Sequence, residues 1–171
     1  MSQYDTQQII AYPLAADGAI PNNEDCSLLV YPGAVALSDP DPAVAFEELF
    51  AANGWSGSWR NGIHPFHHFH STAHEVLGIF SGEATVQFGG DNGITVNARA
   101  GDVVIVPAGV GHKKLKAHDL GVVGAYPRGQ RPDMCVPKLT GAVRHVTVPL
   151  PEYDPVFGAG GPLFEYWRAR A

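Results

Sequence analysis

Residues 62–82 read GIHPFHHFHSTAHEVLGIFSG, and this stretch decides the fold. It sets 5 histidines and one glutamate in a segment that otherwise reads as β-structure. His68 and His70 are two residues apart, so on a strand both imidazoles point to the same face. Glu75 follows five residues later, far enough for the chain to turn at Ser71-Thr72-Ala73 and bring a carboxylate back from the next strand. Two imidazoles and a carboxylate converging from adjacent strands suit a first-row divalent metal better than a nucleophile-and-base arrangement.

Working outward, a further histidine stands in GDVVIVPAGVGHKKLK (residues 101–116). There Gly101, Pro107 and Gly109 punctuate an apolar strand, VVIV, and a turn that precedes His112.

Together the two stretches resemble the cupin superfamily. Gly62, His68, His70, Glu75 and Gly82 match its first motif, and Gly101, Pro107, Gly109 and His112 its second, with residues 83–100 between them. The resemblance implies an all-β fold, a double-stranded β-helix or jelly-roll barrel, holding one divalent transition metal (Fe, Mn, Zn or Ni) through His68, His70, Glu75 and His112. One departure is Lys116, where the family often has Asn. Three imidazoles and one carboxylate leave two octahedral positions open, which in cupins receive water, dioxygen or a bidentate substrate. A closed structural zinc site would fill its four positions, commonly with thiolates.

Composition agrees with one compact domain over residues 1–171: 45% of the residues are apolar, and 20 glycines with 14 prolines supply many turns. A net charge of −6, with Lys113, Lys114 and Lys116 as the one short basic cluster, argues against nucleic acid. Cys26 and Cys135 lack metal-type spacing and read as free thiols of a reducing compartment. The N-terminal sequence has no signal-peptide pattern and no apolar run reaches membrane-spanning length, so the expected location is the cytoplasm, with no membrane partner.

Residues 1–26 read as an extended arm with a short strand at 9–12, and 27–37 as a strand interrupted at Pro32-Gly33. One helix follows, capped by Asp39 or Asp41 and ended by Asn53-Gly54. The barrel motifs occupy 58–126, with strands expected at 58–63, 66–70, 75–80, 84–88, 94–98, 103–106, 111–117 and 121–126. Asp91-Asn92-Gly93 is a hairpin signal, and Ser81-Gly82 reads as a second turn. A last strand is expected at 142–148, then loops and a tail over 149–171, where FEYW (164–167) should pack on the barrel or on a second subunit. The arm and this tail are natural covers for a sheet edge, which predicts a homodimer.

His67 has the wrong strand parity for the site, His74 reads as a turn or supporting histidine, and His64, His118 and His145 have no assigned role. A catalyst needs a proton carrier beside the metal, and Lys116, Tyr126, Arg60 and Gln87 are the strand polar residues able to supply one. Lys116 shares the parity of His112 if no bulge intervenes; otherwise it extends into water. The expected function is metal-dependent chemistry on a small anionic or hydroxylated molecule, of oxygenase, isomerase or decarboxylase type. The alternative is a module that binds or senses a small molecule or metal without turnover.

Overall fold

The computed structural model describes residues 9–137 and 145–169. In chain order the elements are β1 (Ile10–Leu14), β2 (Asn23–Tyr31), α1 (Ala43–Ala52), β3 (Trp55–Asn61), β4 (Glu75–Phe88), β5 (Ile94–Arg99), β6 (Val103–Val106), β7 (His112–Pro127) and α2 (Leu163–Tyr166). All strand pairs are antiparallel, in the order β1-β2-β6-β4-β7-β3 with β5 also on β4, giving the all-β jelly-roll architecture.

The longest ladder organises the rest. β4 pairs β7 from Val76↔Ala125 to Phe88↔His112. Its first half also pairs β6 and its second half pairs β5, so the same strand changes its second neighbour along its length within one seven-stranded sheet. A straight strand of this length would separate Glu75 from Phe88 by roughly 40 Å. Yet the Glu75 carboxylate lies 3.4 Å from the imidazole of His112, which is paired with Phe88. The ladder is therefore folded over on itself, and the register shifts at Ile79/Ser81, Ser81/Glu83 and Thr85/Val86 are where pairing is interrupted.

Ser81-Gly82 is accordingly a bulge inside β4, not the hairpin turn its composition suggests. Gly82 has φ +67°, and a Cβ there would sit 2.1 Å from the carbonyl oxygen of His118 on the facing strand. The same correction merges the expected strands 75–80 with 84–88, and 111–117 with 121–126. A turn does occur around Asp91-Asn92-Gly93, but Gly89 and Gly90 supply the positive φ, at 89° and 92°.

Leu77 and Ile79 before the fold, and Ala84, Val86 and Phe88 after it, bury in one interior cluster with Val104, Val106 and Val122. The opposite faces of the same strands form a second apolar layer. There Val76, Val103, Ile105 and Val123 pack with Phe46 and Phe50 of α1 and with Leu163 and Trp167 of the tail. Burial on both faces explains why VVIV is a continuous apolar run rather than an alternating one.

Several expectations are corrected. β2 starts at Asn23 and stops at Tyr31. Pro42, not Asp39 or Asp41, is the N-cap of α1, without a side-chain cap bond, and the Asp41 carboxylate instead takes Arg60 at 3.0 Å. Residues 66–70 make isolated bridges rather than a strand, His68 with His112 and Phe69 with Cys135. Of the strand expected at 142–148, residues 142–144 lie outside the described residues and 145–148 are irregular. FEYW packs on its own chain: Trp167 is buried and its Nε1–H donates to the Ser27 carbonyl at 2.8 Å. Among the described residues no helix is long and apolar enough to cross a membrane.

The two hindrances at Gly82 can be separated by mutation. Gly33→Ala, at φ +59° with nothing within 4 Å, should cost about 1 kcal/mol from backbone conformation alone. Gly82→Ala adds a backbone clash and should cost more than about 3 kcal/mol in urea unfolding. Equal costs would remove the steric role of the bulge.

Candidate metal centre

His68 and His112 face each other across a two-way backbone bridge, with N–H to carbonyl distances of 3.2 and 2.9 Å. Their rings approach to 3.9 Å between centroids. Phe69 is held to Cys135 by the same kind of bridge, which fixes His68 and His70 on its two sides. One ring nitrogen each from His68, His70 and His112 lie within 4.8 Å of one another, and all three residues are buried, so together they can hold a metal ion. Glu75, the first residue of β4, brings a buried carboxylate to 3.5 Å from His70 Nε2 and 3.4 Å from His112 Nε2.

The backbone sets the tautomer of every imidazole. His68 Nδ1 lies 3.0 Å from the carbonyl of Phe66, His70 Nδ1 2.5 Å from that of Asp133, and His112 Nδ1 3.1 Å from that of Val110. A carbonyl can only accept, so each Nδ1 carries a proton and each Nε2 is the nitrogen whose lone pair, in the neutral ring, is left to take a metal or a second proton. Lone pairs facing a carboxylate repel unless a cation or proton lies between them. The donor set therefore fits a divalent ion, with the outer ring nitrogens oriented as metal-binding histidines require.

Charge in the cluster follows from burial and proximity. Burial alone raises the Glu75 carboxyl, but His112 and His70 outweigh it and hold the group below the usual carboxylate range. For His70, burial favours the neutral ring, while Glu75 and the Asp133 carbonyl overcome it and raise the pKa. Burial, then the neighbouring His112, pushes His68 down to about 3.

A strap that the sequence reading missed holds this arrangement. The Asp133 carboxylate accepts the Ser71 N–H at 2.6 Å and the Ser71 hydroxyl, while the Thr72 hydroxyl donates to the Arg131 carbonyl at 2.6 Å. The partners are about 60 residues apart in sequence, so no local pattern announces them.

The other histidines divide by contact. His74 is fully buried: Nδ1 accepts the Ala108 N–H at 2.9 Å, which leaves the proton on Nε2 toward the Val148 and Pro149 carbonyls, and burial pushes its pKa down to about 4. The tail buries it, with the Trp167 ring 4.6 Å away. His67 pairs with Asp91 at 2.8 Å, while His64 stacks on Phe66 and lines the site cavity. His118 and His145 place Nε2 3.2 Å from the Asp119 carboxylate and 3.3 Å from that of Asp25.

A cavity of about 270 Å³ opens on the cluster. Tyr126 lines it and Lys116 does not: Lys116 is exposed, opposite Thr85, and faces a separate groove. The register shift between Thr85 and Val86 is the bulge on which the parity of Lys116 depended. Arg60 is tied to Asp41 and Glu47 on the surface, and Gln87 bonds the Asp91 carbonyl at 3.4 Å. Trp59, also missed, donates its Nε1–H to the Tyr126 hydroxyl at 2.7 Å. Its indole lies against Gly124, where a Cβ would come within 2.1 Å of the ring. Burial, then the charge of Glu75, raises the Tyr126 phenol above its ordinary value.

A family model described as Cupin matches residues 59–117. The uncharacterized protein YjlB of Bacillus subtilis (strain 168) is 44% identical over 156 residues, covering 88% of this chain and 92% of that protein. A mutant of Bacillus subtilis oxalate decarboxylase matches with a TM-score of 0.39 and 18% identity, over 72% of this chain and 29% of its own. A DUF861 family protein from Thermotoga maritima gives 0.33 and 23%, over 55% and 98%. An 11S globulin from Wrightia tinctoria gives 0.37 and 20%, and this chain spans 22% of its length.

Alanine at His68, His70, Glu75 or His112 should sharply reduce metal content by elemental analysis while the fold persists in circular dichroism. Metal retained by all four variants would place the ion elsewhere. The raised pKa of His70 means that, without metal, its proton is held at pH values where free histidine has lost it. Metal must displace that proton, so affinity should fall about tenfold per pH unit below this pKa. His68, neutral down to about pH 3, adds nothing to the slope over that range. Affinity for Zn(II) constant from pH 8 to 5 would contradict this.

Proposed function

The chain belongs to the cupin superfamily, and from that premise we propose that it is a metal-dependent enzyme acting on a small molecule, anionic or hydroxylated, of oxygenase, isomerase or decarboxylase type. The observation that carries the reading is the set of three Nδ1-to-carbonyl bonds at His68, His70 and His112, which leaves three Nε2 lone pairs directed at one another beside the Glu75 carboxylate. His68, His70, Glu75 and His112 are the proposed ligands, for iron, manganese, zinc or nickel. When bound there, such an ion supplies Lewis-acid polarisation or oxygen activation.

The chain's own residues do the rest. Glu75 offsets one unit of cationic charge in a buried setting where charge interactions are strong. Because Trp59 Nε1 is a donor only, Tyr126 must accept from it, and the phenolic proton is directed at the Glu75 carboxylate, bracing that proposed ligand on the cavity side. Trp59, Ile63 and Leu77 give the cavity an apolar wall that displaces water from the reacting end.

Tyr126 also supports the rival reading of a binding or sensing module. Its raised pKa makes it a hydrogen-bond donor rather than a proton shuttle at neutral pH, and Lys116 does not line the cavity. Turnover separates the two. Protein reconstituted with Fe(II), Mn(II), Ni(II) or Zn(II) should consume oxygen or release product from at least one member of a panel of small acids, thiols and phenols. Tyr126→Phe should then keep its metal and lose on the order of 10²-fold in rate. Stoichiometric binding without product by every metal form would establish the module instead.

A homodimer is also part of the proposal, resting on the edge strand β1, which among the described residues pairs only β2, since FEYW is used within its own chain. Light scattering should give twice the monomer mass at micromolar concentration; a monomer mass would refute pairing.

A further inference from the structure

We propose that Lys114 is the anion anchor of the cavity, and that the molecule admitted is a small organic monocarboxylate with an apolar body. The proposal deepens the metal-dependent reading above and rests on it.

Strand register brings Lys114 to the site. Phe88 pairs His112 and Val86 pairs Lys114, and both Phe88 and Val86 belong to the barrel interior. Paired residues of an antiparallel ladder share a face, so Lys114 points the same way as His112. The next step of the ladder is interrupted: Leu115 is extra, Lys116 pairs Thr85, and the strand continues with Lys116 outward. One lysine of the basic cluster is thus selected for the cavity by a bulge. Its backbone is fixed there, with the Lys114 N–H donating to the His64 carbonyl at 2.9 Å.

Among the described residues Lys114 has no ion pair and no side-chain hydrogen bond, although it is half-buried and lines the cavity. A lysine with an acidic neighbour would be a structural pair; this one has none. Glu75 is the one carboxylate on the cavity wall, and its oxygens are directed to His70 and His112. With neutral imidazoles, a divalent ion, Glu75 and Lys114 leave the site about two charges positive. That excess favours an anion over a neutral or cationic guest.

The remaining walls define the body of that anion. Trp59, Ile63, Leu77 and Met134 are apolar, and beyond the four proposed ligands and Lys114 the polar side chains on the wall are Asn61, His64 and Tyr126. A polyhydroxylated guest would set several hydroxyls against surfaces that cannot hydrogen-bond them, which costs more than it returns. Room is limited: about 150 Å³ accommodates a benzene molecule, and the cavity here is about 270 Å³. One ring or a short chain carrying one carboxylate fits both the charge and the space.

The test uses the full chain loaded with Co(II), with benzoate as probe and benzyl alcohol as its neutral counterpart. Calorimetry gives affinity and the visible Co(II) bands report on the metal. Benzoate should bind at least tenfold more tightly than benzyl alcohol. Lys114→Met should keep the Co(II) content and bands of the wild type yet bind benzoate about 10- to 100-fold more weakly, the loss expected for one charged hydrogen bond. Lys114→Arg should retain most of the affinity. If Lys114→Met does not fold, Lys114→Gln is held to the same tenfold criterion. Equal binding of benzoate and benzyl alcohol, no benzoate binding by the loaded wild type, or undiminished benzoate binding by the lysine variant would each overturn the assignment while the metal reading stands. A wild type that retains no Co(II) would overturn both.

Discussion

The antiparallel pairing of β4 with β7 is the constraint on which the rest of the structure depends. It runs the full length of β4 and yet brings its own two ends together, so the ladder becomes both walls of the barrel. Closure depends on bulges where the strand can bend, and one of them requires a residue with positive φ and no side chain. Once closed, the same ladder places Glu75 at the start of one half and His112 at the start of the facing strand. The cavity between the walls is then a result of folding the ladder rather than a separate feature.

How far this is legible from sequence depends on whether a feature is local. The unbroken apolar run VVIV, the helix from residue 43 and the parity of His68 and His70 are local and readable. Ser81-Gly82 is local too, but a glycine at positive φ serves a hairpin turn and a bulge equally well, and composition cannot choose between them. Only the pairing of residues 84–88 with 112–117 shows that the strand continues. The same kind of irregularity exchanges Lys116 for Lys114: parity counted along the chain is valid until an extra residue enters, and Leu115 carries no mark of being one.

Other elements are hidden because their partners are remote. His74 reads as a turn histidine or a supporting one, and only the tail, some ninety residues later, decides its burial by placing Trp167 against it. Asp133 sits in an irregular Pro-containing stretch, yet its carbonyl orients His70 and its carboxylate fixes Ser71. Trp59 and Tyr126 lie on neighbouring strands, and their hydrogen bond exists because Gly124 leaves room for the indole. Such contacts follow from the topology and cannot be counted from spacing.

The three carbonyls that fix the imidazoles belong to Phe66, Val110 and Asp133, in three separate segments of the chain. Every amino acid supplies a carbonyl, so point substitution at these positions exchanges the side chain and leaves the orienting group in place. The protonation pattern of the cluster is thereby buffered against mutational drift, whereas the cavity walls are built of ordinary side chains with no such protection. A lineage carrying this fold can diversify what it binds, by changes at positions such as Lys114 and Met134, without first dismantling the cluster that makes binding useful.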